Sequence, residues 1–126
     1  MFRSRSSGFT LIEVMLVVGV IGILAALAIP RYGAAKAAAG DAAAKSDLKN
    51  AIIALVRYQV TNGTFPATSA ELEASGYRLS AGVTWDRYGV DIKNGSETVH
   101  MHVQHADSPS AWHANYPEEG SEFEIR

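Results

Sequence analysis

Few side chains in this sequence have the type and spacing to do chemistry. All four histidines, His100, His102, His105 and His113, fall within 14 residues. Imidazoles at that density could bind zinc or copper. His100 and His102 are two apart, so on a strand they share one face while Val99, Met101 and Val103 take the other. The simplest placement is a solvated face; no metal is expected, and His100 and His102 are the weak candidates for one. Serine, histidine and aspartate all occur, but no spacing assembles a nucleophilic set. No catalytic residue or cofactor is assigned, and the chain is not expected to be an enzyme. The absence of cysteine excludes thiolate zinc sites, cysteine nucleophiles and disulfides.

Glu13 is the side chain that needs an explanation. Of the 21 residues from Phe9 to Ile29, only Thr10 and Glu13 carry polar side chains. About 20 apolar residues, each rising about 1.5 Å in a helix, cross a hydrocarbon core of about 30 Å. A carboxylate inside such a helix costs about 3 kcal/mol on insertion scales and normally has a partner. The next basic residue downstream is Arg31. A cut between Gly8 and Phe9 would create an α-ammonium four residues before Glu13, and a neighbouring copy could offer it to that carboxylate. The residues ahead of the cut carry Arg3 and Arg5 and no acid, which favours a cytoplasmic N-terminus. No A-x-A-like cleavage site closes the apolar run, so it is expected to stay attached to the mature chain.

Gly8-Phe9-Thr10-Leu11-Ile12-Glu13-Val14 resembles the processing and assembly motif of type IV pilins and the related pseudopilins. The resemblance covers about residues 1–60. It implies that a prepilin peptidase cuts after Gly8 and N-methylates Phe9, and that Phe9 and Glu13 act in assembly. It also implies that the apolar helix holds the subunit in the inner membrane, in contact with lipid, before forming the filament core. Pro30 matches a proline common in this helix, and the stretch from Gly22 to Pro30 is the expected site of flexibility and extension on assembly. The implied partners are further copies of the chain, the prepilin peptidase and the inner-membrane assembly machinery, and the implied destination is an extracellular filament on the cell surface. Tyr58 to Pro66 is also similar to the major pseudopilin of type II secretion, whose calcium loop has no counterpart here.

The elements that must carry these residues follow from periodicity. Arg31 to about Thr61 reads as an alanine-rich helix with Leu48, Ile52, Leu55 and Gln59 on one stripe, Ile53, Val56 and Val60 beside it, and Lys36, Asp41, Lys45, Asp47 and Lys49 on wetter faces. Asp41 and Lys45 are spaced for an i,i+4 pair. Asn62-Gly63 supplies the stop, and Ser69 to Glu73 reads as a short helix capped by Ser69. Val83-Thr84-Trp85 is a candidate strand. Tyr88, Val90 and Ile92 alternate ahead of an Asn94-Gly95 hairpin, and Val99, Met101 and Val103 alternate after it. Residues 105–118 read as an irregular loop held by Trp112, Tyr116 and Pro117, and 122–126 as a last strand.

The sequence therefore predicts an α+β fold: a long N-terminal helix, membrane-spanning in its first half, packed on a small antiparallel sheet. The expected organisation is a cleaved leader (1–8), a membrane and filament-core helix (9–30) and a globular domain (31–126). With 126 residues and a net charge of −2, the chain has one domain's worth of sequence and no excess of cations for phosphate neutralisation, so no specific nucleic-acid binding is expected. The expected function is a structural pilus subunit. The alternatives are a type II secretion pseudopilin, a minor pilin, or a monomeric membrane-anchored binding domain using the histidine face.

Overall fold

Alanine-rich sequence on both sides of Pro30 sustains one helix, α1, from Leu11 to Asn62 in the computed structural model, which describes residues 8–93 and 95–117. Pro30 lies inside α1 without ending it. Asn62 is its last residue; Gly63 follows with φ 77°, and its N–H reaches the Gln59 carbonyl at 2.7 Å, the left-handed exit that glycine allows. A short helix, α2 (Ser69–Ala74), is capped by Thr68, whose hydroxyl accepts from the Glu71 N–H at 3.3 Å. The cap is therefore one residue earlier than Ser69.

Three strands follow in an antiparallel meander ordered β1-β2-β3: β1 (Val83–Lys93), β2 (Ser96–His105) and β3 (Ala111–Tyr116). Gly95, at φ 80°, sits in the tight β1–β2 connection where Lys93 pairs with Ser96. Val83-Thr84-Trp85 and the Tyr88 alternation belong to one strand, joined through a register shift between Trp85 and Arg87. The extra residue is a bulge, and it lets Trp85 and Tyr88, three apart, both pack against the core. The segment expected as an irregular loop contains β3 instead. Trp112 and Ala114 point inward from it, and Ala111 to Tyr116 pair with β2. The last expected strand, 122–126, lies outside the described residues.

The chain divides into two compact units, residues up to 35 and residues from 36 onward. The second unit has its own core: Ala44, Leu48, Ala51, Ala54 and Leu55 from α1, Leu72 from α2, and Val83, Val99, Met101, Val103, Trp112 and Ala114 from the sheet. Small alanines dominate the helical side of this core. Ile53, Val60 and Ile92 remain 67%, 82% and 68% exposed and do not join it. Ile92 is at the strand's end, beyond the reach of the helix-backed face.

Two carboxylates expected on wet faces are engaged on the packed side. Asp47 is buried, accepting from Ser80 N–H at 2.7 Å and from the Ser80 hydroxyl at 2.8 Å. Asp41 Oδ1 accepts from the Ser108 hydroxyl and from Trp112 Nε1 at 3.0 Å. These two hydrogen bonds hold the Asp41 carboxyl below the usual aspartate range. Lys45 does not pair directly with Asp41; its Nζ stands 3.8 Å above the Trp112 ring centre. Lys36 Nζ meets Asp107 Oδ1 at 2.8 Å. Gly40 is buried where a Cβ would come within 2.6 Å of His105 Nδ1. These polar contacts fasten the β2–β3 connection to α1 in a chain that has no disulfide.

Candidate functional site

The first unit presents the residues singled out for processing and assembly. Gly8 and Phe9 precede α1; Phe9 is 86% exposed, and among the described residues no side chain or backbone approaches a Cβ built at Gly8. The apolar side chains from Leu11 to Ile29 are exposed along the helix, which is long and apolar enough to cross a membrane. Gly22 and Pro30 are both helical.

Glu13 has a local partner that the sequence reading missed. Its Oε2 accepts from Thr10 N–H at 2.7 Å and from the Thr10 hydroxyl at 2.8 Å, while Glu13 N–H donates to Thr10 Oγ1 at 3.3 Å. This is a reciprocal capping box: Thr10 is the N-cap and Glu13 the third helical residue. The pattern Thr-x-x-Glu ahead of an apolar run was the available signal. The box satisfies two donors at the helix start and occupies one carboxylate oxygen. It neutralises none of the carboxylate's charge.

In the second unit, β2 places Val99, Met101 and Val103 in the core and turns His100 and His102 to the opposite face, as their spacing implied. His100 Nδ1 meets Asn115 Oδ1 at 2.7 Å and Nε2 meets Asp91 Oδ2 at 3.1 Å. A shallow cleft of about 360 Å³ opens there, lined by Arg87, Tyr88, Gly89, Asp91, His100 and His102. His113, unassigned in sequence, stands directly across from His102. Its pairing became visible only once β3 existed. His105 packs over Gly40 and Gly82 instead, with Nδ1 accepting from Asp107 N–H at 3.0 Å. Among the described residues no group of three or more histidine, cysteine or acidic side chains is placed to hold a metal ion.

Comparison with known proteins bears on the first unit most directly. A family profile described as the prokaryotic N-terminal methylation motif matches residues 3–29. The chain is similar to type II secretion system core protein G of Pseudomonas aeruginosa, 45% identical over 74 residues, covering 59% of this chain and 52% of that one. Its match thus spans about half the length of that relative. The type IV wide pilus major component PilA4 of Thermus thermophilus is 30% identical over 117 residues, 92% of this chain and 86% of its own. The type IV major pilin protein PilA of Myxococcus xanthus is 52% identical over 48 residues, 38% of this chain and 22% of its own. A motif-bearing apolar helix, an antiparallel sheet packed on its second half and a near full-length pilin relative agree: this chain belongs to the type IV pilin and pseudopilin family.

Proposed function

We propose that the chain is a structural subunit of a bacterial type IV pilus. A precursor is held in the inner membrane by the apolar start of α1 and cut by a prepilin peptidase between Gly8 and Phe9. It is then N-methylated on Phe9 and polymerised through that helix, by the inner-membrane assembly machinery, into a surface filament. One observation carries this reading. An exposed apolar run from Phe9 to Ile29, broken by a single carboxylate, stands directly behind the Gly8–Phe9 junction. Apolar surface of that extent demands a cover, which lipid provides before assembly and neighbouring helices provide after it. The Glu13 charge, which the capping box leaves in place, pairs with the methylated ammonium of Phe9 on an adjacent copy. Residues 22–30, helical in α1, extend during assembly because glycine and proline weaken the helix there.

Intact mass of the assembled protein tests the processing: the mature chain lacks eight residues and gains one methyl group. Gly8→Val accumulates uncut precursor. A filament protein cut elsewhere or unmethylated overturns the assignment. Glu13 is tested by two variants together. Glu13→Ala removes both cap and charge, whereas Glu13→Gln keeps a side chain that supports a capping box and removes only the charge. Both variants are cut normally, and both lose piliation if the intermolecular pair is required. Normal piliation by Glu13→Gln alone reduces Glu13 to a helix cap.

A second reading, a pseudopilin of type II secretion, is favoured by the 45% identity to the Pseudomonas core protein G and by the sequence from Tyr58 to Pro66. Mass spectrometry of sheared surface filaments separates the two: a pilin is their main component, and a pseudopilin is absent from them while its loss blocks secretion.

A further inference from the structure

The outer face of the sheet carries a row that spans all three strands. Arg87 on β1 pairs with His102 on β2, and His102 pairs with His113 on β3. The His102 and His113 rings lie 5.4 Å apart between centres, with their planes 23° from parallel. Two imidazoles bound to one ion through bonds of about 2.0 Å have ring centres about 4.5 Å apart at right-angled positions of a square-planar ion and about 5 Å apart on a tetrahedral one. The separation is slightly larger than either, so a small approach of the two side chains and rotation of the rings about χ2 are what remain to aim their lone pairs at one point.

The neighbouring imidazole is different. Both nitrogens of His100 are engaged, one by Asn115 and the other by Asp91. The ring nitrogens of His102 and His113 have no hydrogen-bond partner among the described residues, and neither residue holds a buried orphan, so these nitrogens face water. Partial burial, with His113, Arg87 and His100 adding to it and Asp86 opposing, holds the His102 imidazole below its ordinary range. The charges around the pair are mixed. Arg87 opposes a divalent ion, whereas Asp86 and the Asp91 carboxylate beside His100 favour one.

The geometry points to a transition-metal site in which His102 and His113 bind one divalent ion as cross-strand imidazole ligands, with water completing the coordination. Copper(II) is the preferred ion, ahead of nickel and zinc, by the usual order for nitrogen ligands. His100 stays outside the coordination sphere. The pair thus differs from the His100 and His102 combination that sequence spacing offered. It lies within the sheet of a single chain and stands whether or not the chain assembles.

The test is titration of the untagged full-length chain, in maltoside micelles at pH 7.5, with copper(II) chloride, followed by calorimetry and electron paramagnetic resonance. One equivalent binds, with the spectrum of a nitrogen-ligated copper centre. His113→Ala and His102→Ala each weaken binding by at least about tenfold, while His100→Ala leaves it within about threefold. Lowering the pH to 5 releases the ion, because protons compete for the same lone pairs. His113→Asn, similar in shape and polarity, guards against misfolding: circular dichroism is unchanged and copper affinity falls as in the alanine variant. Absence of a copper equivalent in the parent overturns the site. So does parental affinity in the His102→Ala/His113→Ala double variant, or loss in His100→Ala equal to that in His113→Ala.

Discussion

Replacing Asp41 with alanine isolates the contact that fastens the β2–β3 connection to α1. The substitution strips the acceptor from two donors at once, the Ser108 hydroxyl and Trp112 Nε1, on residues only 5% and 3% exposed. A buried donor left unmade costs about 1–3 kcal/mol, so the pair together loses about 2–6 kcal/mol. Alanine is the better helix former by about 0.5 kcal/mol, a small offset. The expected net loss is about 3 kcal/mol. A unit of about 90 residues from 36 onward has an unfolding entropy of about 2 cal/mol/K per residue, so its Tm falls by about 15 °C. Asp41→Asn keeps an amide oxygen for both donors and loses only the charge, so its cost is about 1 kcal/mol. The assay is thermal unfolding in maltoside micelles followed by near-ultraviolet circular dichroism. Trp112→Phe completes a double-mutant cycle, in which the tryptophan's share appears as a coupling of about 1 kcal/mol or more. A loss below about 0.5 kcal/mol in Asp41→Ala, or a cycle without coupling, refutes the claim that this carboxylate anchors the connection.

Acid sensitivity is expected from the same region. The carboxyls of Asp41 and Asp107 are held below their ordinary range by hydrogen bonds, that of Asp107 from Lys36. The unfolded chain therefore takes up protons first as pH falls, and stability present above about pH 4 is lost below it; melts at pH 3 and pH 6 should show this loss, reduced in Asp41→Asn. Gly40→Ala should destabilise by about 1 kcal/mol, since a Cβ would collide with His105 at a cost of about 1–3 kcal/mol, partly offset by better helix propensity. In a His105→Ala background the same change should become neutral or stabilising, and persistence of the penalty there would discard the collision. Residues from 34 onward, made without the apolar segment, should give a soluble monomer with a strand signal in circular dichroism; insolubility or a purely helical spectrum would contradict an independent core in that unit.

The strongest periodicities survived into the structure. Val99, Met101 and Val103 are fully buried, because strict alternation leaves a strand little choice of face. The apolar N-terminal run and the turn at Gly95 were equally plain. What stayed hidden depended on partners distant in sequence. Asp41 and Asp47 look like solvated helix residues until Ser108, Trp112 and Ser80 arrive from the other side of the fold. Ile53 and Val60 look like core residues, yet the sheet approaches the alanines and leaves them outside. β3 was lost because its inward positions, Trp112, Ala114 and Tyr116, include one small residue, and histidine and asparagine between them read as loop. Gly8, Phe9 and Glu13, proposed for processing and assembly, stand out through the resemblance to the pilin motif, whereas the Thr10 cap shows only as a Thr-x-x-Glu spacing ahead of a much stronger apolar run.

The bulge between Trp85 and Arg87 means that β1 obeys two opposite parities. Before it, odd-numbered residues, Val83 and Trp85, pack inward; after it, odd-numbered Arg87, Gly89 and Asp91 turn outward and even-numbered Tyr88 and Val90 take the core. The same substitution pattern thus has inverse consequences on either side of one residue. Deleting Asp86 would remove the extra residue and leave one unbroken alternation, with Trp85 still inward, Arg87 outward and Tyr88 inward on their present partners. A one-residue deletion elsewhere in the strand would be far more damaging than the loss of Asp86, because it changes the phase of every position beyond it.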